Sequence, residues 1–123
     1  MKKSKFRGPE NAELKALVAM LEKTARKSHS GVWATVAEFL QKPARVKKNK
    51  AVNLYKLEKI AKDGDTIVVP SVLLGVGELK KKITVAAFKA SKSAREKLGK
   101  NLISVREMAE RNPEGKKVRI ILG

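Results

Sequence analysis

Apolar residues recur along this chain with two different periods, and the change of period divides it. From Pro9 onward Leu14, Leu17, Val18 and Leu21 are spaced three or four apart, which makes one face of a helix apolar. Pro9 or Asn11 can open that helix, and Lys23, Arg26 and Lys27 lie near its end, where cations suit the dipole. A turn at His29, Ser30 and Gly31 follows. Val32, Val36, Phe39 and Leu40 repeat the spacing with Trp33 and Ala37 alongside, until Pro43 ends a second helix. Leu54, Leu57 and Ile60 predict a short third helix that starts after Asn53 and stops near Gly64.

Beyond Gly64 the period shortens. Residues 66–69 and 83–87 are β-branched, strand-like runs, and residues 101–104 and 117–122 are two further strand candidates. Ser93 with Glu96, and Ser104 with Glu107, match the capping box that opens a helix, so two short helices are predicted between strands. The "NPEG" turn at residues 112–115 ends the last of them. Short strands alternating with helices predict a single small α/β domain over residues 9–123, helical in its N-terminal half. Residues 1–8 carry Lys2, Lys3, Lys5 and Arg7 with Phe6 as the sizeable apolar residue, and read as a mobile basic tail.

Charge then narrows the partners. Of 123 residues, 29 are Lys or Arg and 12 are Asp or Glu, a formal net charge of +17. Self-repulsion on that scale opposes compaction until a polyanion neutralises it. Nucleic acid, an anionic membrane surface or an acidic protein could serve. The longest uncharged run, residues 66–77, is interrupted by Pro70 and Gly75 and is well short of the roughly 20 apolar residues of a membrane span. No apolar stretch follows the basic opening to make a signal peptide, so the chain reads as cytoplasmic. Between Glu38 and Glu58 there is no acidic residue, while Lys42, Arg45, Lys47, Lys48, Lys50 and Lys56 fall inside that interval. Few apolar residues accompany them, so residues 42–52 are expected to form an inserted basic loop, shaped by a ligand rather than by the protein.

Candidate chemistry is sparse. Cysteine is absent and His29 is the single histidine, which removes disulfides, thiol nucleophiles, paired-imidazole metal sites and Ser–His–Asp relays. The carboxylates of "DGD", Asp63 and Asp65, flank a glycine ahead of a strand and read as turn chemistry. Gly75 and Gly77, ahead of Lys80, Lys81 and Lys82, raise the question of a phosphate loop. The third glycine of a dinucleotide fingerprint is replaced by Lys80, and no window supplies a P-loop. The pair reads first as a tight turn with positive φ, and second as backbone that approaches RNA phosphate. No cofactor, metal, small-molecule substrate or enzymatic activity is expected. Aromatic residues are 4% of the chain, and Trp33, Phe39 and Phe88 fall at core positions, so few remain as stacking platforms. A folded RNA recognised by shape and phosphates fits better. The alternative is a DNA-compacting protein, which would bind any duplex equally.

Residues 63–98, "DGDTIVVPSVLLGVGELKKKITVAAFKASKSAREKL", resemble the signature of the L-fifteen / L-eighteen-e superfamily of large-subunit ribosomal proteins. The segments "GPENAELKALVAMLEK", "VWATVAEFLQKP", "KPARVKKNKAVNLYKLEKI" and "ERNPEGKKVRIILG" are similar to its archaeal and eukaryotic branch, L-eighteen-e. The chain departs from that pattern at Ala44, where the family tends to be basic. The resemblance implies a structural constituent that docks on large-subunit rRNA, touches neighbouring ribosomal proteins and catalyses nothing. It places RNA contacts on Lys42, Pro43, Arg45, Lys47, Lys48 and Asn53. Charge adds Lys50 and the tail residues Lys2, Lys3, Lys5 and Arg7; Gly75, Gly77, Lys80, Lys81 and Lys82 complete the candidates.

Overall fold

The computed structural model describes residues 3–29 and 31–123, and the side chains of 12–29, 31–43 and 45–123. In chain order the elements are α1 (Lys3–Ser28), α2 (Gly31–Leu40), α3 (Ala44–Asn49), β1 (Val52–Asn53), α4 (Leu54–Ile60), β2 (Thr66–Leu74) and β3 (Thr84–Ala90). There follow α5 (Lys92–Leu98), a 3₁₀ turn (Gly99–Asn101), β4 (Leu102–Ser104), α6 (Val105–Arg111) and β5 (Val118–Ile120). The α/β class is as the sequence predicts. Helix α1 begins at Lys3 rather than at Pro9 or Asn11, and so takes in backbone expected as a tail. Pro9, expected at the helix start, lies inside α1; its fixed φ is itself helical, although it donates no backbone hydrogen bond there. Lys2 lies outside the described residues.

All four strand pairings are parallel, and three of them involve β2. Along one edge β2 pairs with β3, which in turn pairs with β4. Along its other edge Thr66, Ile67 and Val68 pair with β5, while Leu73 and Leu74 pair with β1. β1 and β5 therefore lie end to end beside the same strand. The ladder to β3 shifts register between Val69 and Val72. Pro70, which has no N–H to give, sits in that irregularity, so the strand runs on past the residue expected to break it.

Strand alternation sorts the core into two halves. Ile67, Val69, Leu73 and Val85 face Leu54, Leu57, Ala94 and Leu98 of α4 and α5. Val68 and Ala86 face Leu21, Trp33, Val36, Leu40, Val105 and Met108 of α1, α2 and α6. The sheet is thus covered on both faces, which is why β2 reads as a continuous apolar run instead of an alternating one. Phe88, expected in the core, is half-buried at its margin. Trp33 is fully buried and its indole N–H donates to the Asn112 carbonyl at 2.9 Å, tying the "NPEG" turn to α2.

β2 and β3 are parallel neighbours joined without a helix. Thr84 pairs with Thr66, so residues 75–83 must return along all of β2, about 26 Å at ~3.3 Å per residue. Fully extended, the steps from Leu74 to Thr84 reach about 33–36 Å, which leaves little slack. The segment runs beside α4. Val76 accepts from the Tyr55 N–H (3.0 Å), Glu58 accepts from the N–H groups of Lys80 and Lys81 (2.9 and 3.2 Å), and Asp63 accepts from that of Lys82 (2.9 Å). At Gly77 φ is +98°, and a Cβ would lie 2.6 Å from that of Tyr55. Gly75 corrects the expected positive-φ pair: its φ is not positive, and it is glycine because a Cβ would lie 2.7 Å from the Ala94 nitrogen.

The helix caps divide similarly. Ser104 accepts from the Glu107 N–H at 3.1 Å, as predicted. The cap of α5 is Ser91, which accepts from Ala94, and not Ser93, whose hydroxyl turns to the Gly75 carbonyl. The "DGD" residues serve a turn: Asp65 accepts from the Lys62 N–H (2.9 Å) and pairs with Arg119 (3.0 Å).

Gly77→Ala should cost at least about 1–2 kcal/mol from backbone strain alone. Gly31→Ala, at a helical site where a Cβ meets nothing within 4 Å, should gain about 0.4–1 kcal/mol. Chemical denaturation reads both, and an unaffected Gly77→Ala protein would contradict the packing argument. The Asp65 carboxyl is held below its ordinary 3.8, first by the Lys62 N–H and then by Arg119. A lowered folded-state pKa means the stabilisation is present above about pH 3.8 and is lost as pH falls through the folded value. Asp65→Asn should therefore melt earlier than the parent at neutral pH, with the gap closing in acid; a gap independent of pH would refute this role.

Candidate nucleic-acid interface

Val72 of β2, Ala87, Phe88 and Lys89 of β3 and Ser104 of β4 lie toward the carboxyl ends of their strands, and all border one groove of about 1110 Å³. Open α/β sheets bind ligands just beyond those ends. Glu13, Leu14 and Leu17 of α1 form one wall, Lys42, Pro43, Lys47 and Lys48 another, and Val105 and Arg106 the start of α6. The lining is mainly apolar. Lys42, Lys48, Lys89 and Arg106 are exposed on its rim, with Glu13 as the acidic member.

The Lys42 wall corrects the sequence expectation. Residues 44–49, read as part of a loop with nothing to pack, form the six-residue helix α3 after Pro43. Lys47 holds it. The residue is 7% exposed, its ammonium donates to the Leu40 carbonyl at 3.0 Å, and it lies 4.7 Å from the centre of the Phe88 ring. The aliphatic stem is buried as apolar packing while the charge meets the C-terminal carbonyls of α2 and a ring face, both of which favour a cation. Downstream, the Lys50 carbonyl accepts from the Ser71 hydroxyl (2.7 Å) and the Gly123 N–H (2.9 Å), and Val52 pairs with Leu73. The protein itself orders this basic segment.

The remaining candidates scatter. Arg45 and Lys50 are exposed beside the groove wall without bordering the groove. Asn53 closes β1, and its Oδ1 is buried with no hydrogen-bond partner among the described residues. The carbonyls of Gly75 and Gly77 both accept from the Lys97 ammonium at 2.8 Å. A phosphate cradle offers N–H groups; this loop offers carbonyl oxygens to a cation. Lys81 donates to the Glu58 and Ala61 carbonyls, both at 2.6 Å, and so closes the C-terminus of α4. Lys80 and Lys82 are exposed, but they sit near the amino ends of β2 and β3, the end of the sheet opposite the groove. Lys3, Lys5 and Arg7 belong to α1, with side chains outside those described.

Sequence reasoning missed Lys89 and Arg106. Neither belongs to a basic run, and only the fold brings them to the groove. No group of three or more His, Asp or Glu able to hold a metal occurs among the described residues, and no described helix is long and apolar enough to cross a membrane.

Two neighbouring lysines should behave oppositely. Lys47→Glu places an unpaired anion against the Leu40 carbonyl and should cost roughly 3–5 kcal/mol. Lys48→Glu, on the exposed rim, should stay within about 0.5 kcal/mol of the parent. Equal thermal stability of the two variants would overturn the inward assignment of Lys47.

Comparison with known proteins places the chain in a family. Residues 33–101 match the ribosomal proteins 50S-L15, 50S-L18e and 60S L-twenty-seven-A. The large ribosomal subunit protein eL18 of Pyrobaculum aerophilum is 42% identical over 118 residues, covering 94% of this chain and 95% of that protein. Those of Thermoplasma acidophilum (43% over 107 residues; 85% and 88%) and Haloarcula marismortui (42% over 113 residues; 90% and 96%) are similar to the same extent. With this coverage and identity, the chain belongs to the ribosomal protein family that comprises 50S-L15, 50S-L18e and 60S L-twenty-seven-A.

Proposed function

We propose that this protein is a structural, non-catalytic constituent of the large ribosomal subunit in the cytoplasm, binding large-subunit rRNA and touching neighbouring ribosomal proteins. One observation carries the RNA contact: Lys42 ahead of α3, Lys48 on α3 and Arg106 on α6 converge exposed on one groove rim, and none has an ion-pair partner among the described residues. Exposed cations that the fold does not neutralise leave the formal charge of +17 to be met by phosphate. Arg45 and Lys50 extend the same cationic face. The tail residues, Pro43, Asn53, the glycine loop and Lys80 to Lys82 remain secondary RNA candidates; the internal bonds of Lys81 and of the glycine carbonyls favour structural roles for them.

A DNA-compacting protein would meet duplex phosphates alone and would have no use for an apolar groove beneath them. The proposal predicts sedimentation with large subunits at low salt and release as salt rises. Reversing Lys48 and Arg106 together should lower the salt slope by about 1.4–1.8, near 0.7–0.9 per lost phosphate contact. A protein that stays in the post-ribosomal supernatant at low salt, or binds duplex DNA as tightly as rRNA, would refute it.

A further inference from the structure

The basic rim explains attraction to phosphate but not the apolar lining beneath it. Leu14, Leu17, Val72 and Phe88 are each only partly buried and meet at the groove. Phosphates need cations, not such a surface. Bases held inside an A-form duplex cannot reach it either, because their faces are stacked on their neighbours and only their edges show in the shallow minor groove. An unstacked base can, since it presents an apolar face and is flanked by its own two phosphates. The groove is also large enough: small-molecule sites are typically roughly 300–1,000 Å³, and this one is about 1110 Å³.

We propose that the groove receives a single unpaired nucleotide of rRNA, its base against Leu17, Val72 and Phe88 and its flanking phosphates on Lys42, Lys48 and Arg106. This rests on the rRNA-binding reading and adds the structural class of RNA read at that site. The Lys47 ammonium over the Phe88 ring makes that side of the pocket electropositive, which suits the electron-rich oxygens and ring nitrogens of a base. An acidic peptide with an apolar anchor is the competing occupant. It satisfies the rim less well, since a peptide must supply carboxylates at three separate positions where a polynucleotide has phosphates by construction.

The test uses the full chain and two RNA duplexes without loops, identical except that one carries a single extra, bulged 2-aminopurine and the other is fully paired. The bulged RNA should bind about tenfold more tightly and its fluorescence should change on binding. Val72→Thr, nearly isosteric, and Leu17→Gln should each erase the preference while keeping the affinity for paired RNA, with melting curves confirming that both variants fold. Lys48→Glu with Arg106→Glu should weaken binding of both RNAs. Equal binding of the two parent RNAs with unchanged fluorescence would overturn the nucleotide pocket and leave the rRNA-binding reading standing. Salt-dependent binding of neither would remove both. An acidic, leucine-containing peptide that displaces the bulged RNA would identify a protein-docking groove instead.

Discussion

Backbone pairing along both edges of β2 is the constraint from which the rest of this molecule follows. A strand with β3 on one side, and β5 and β1 end to end on the other, has both faces left for helices and no exposed edge over most of its length. Because β3 must start level with the beginning of β2, residues 75–83 return the length of β2 beside α4 without a helix. Close approach is what makes glycine necessary at 75 and 77, where the segment passes against α5 and α4. The glycines serve packing before any ligand.

Lysine has two distinct uses here. Lys47, Lys56, Lys81 and Lys97 each send an ammonium to backbone carbonyls: Leu40, Leu122, the Glu58–Ala61 turn and the glycine loop respectively. These are cross-braces and helix closures made with a long flexible side chain. Carbonyl oxygens satisfy the hydrogen bonds of a cation without placing an opposite charge beside it, so these four lysines stay cationic in a chain whose formal net charge is +17. The braces therefore hold the fold while keeping its need for an anionic partner. The groove joins both uses, with Lys47 inside its wall and Lys42, Lys48 and Arg106 around its mouth.

Much of the fold was legible one residue at a time. The apolar spacing of Leu14 to Leu21 and of Val32 to Leu40, the β-branched runs and the Ser104 cap are local signals, and each corresponds to an observed element. Errors arose where a residue's fate depends on a distant partner. Ser91 and Ser93 are equally able to cap a helix, and the nearness of Gly75 decides between them. Residues 44–49 read as lacking a packing face because a lysine stem does not count as apolar until a carbonyl and a ring stand ready to receive its charge.

By itself the sequence determined the α/β class, the strongly cationic character, the absence of cysteine chemistry and, through its motifs, the kinship with ribosomal proteins. These are properties of composition and short-range spacing, which any part of the chain carries with it. Only the tertiary structure decided which cations face inward and which face out. It also assembled the groove from α1, α3, β2, β3 and α6, elements scattered along the chain and made neighbours by parallel pairing on β2. Parallel sheets bring together the carboxyl ends of strands that are far apart in sequence, and no local pattern records that meeting.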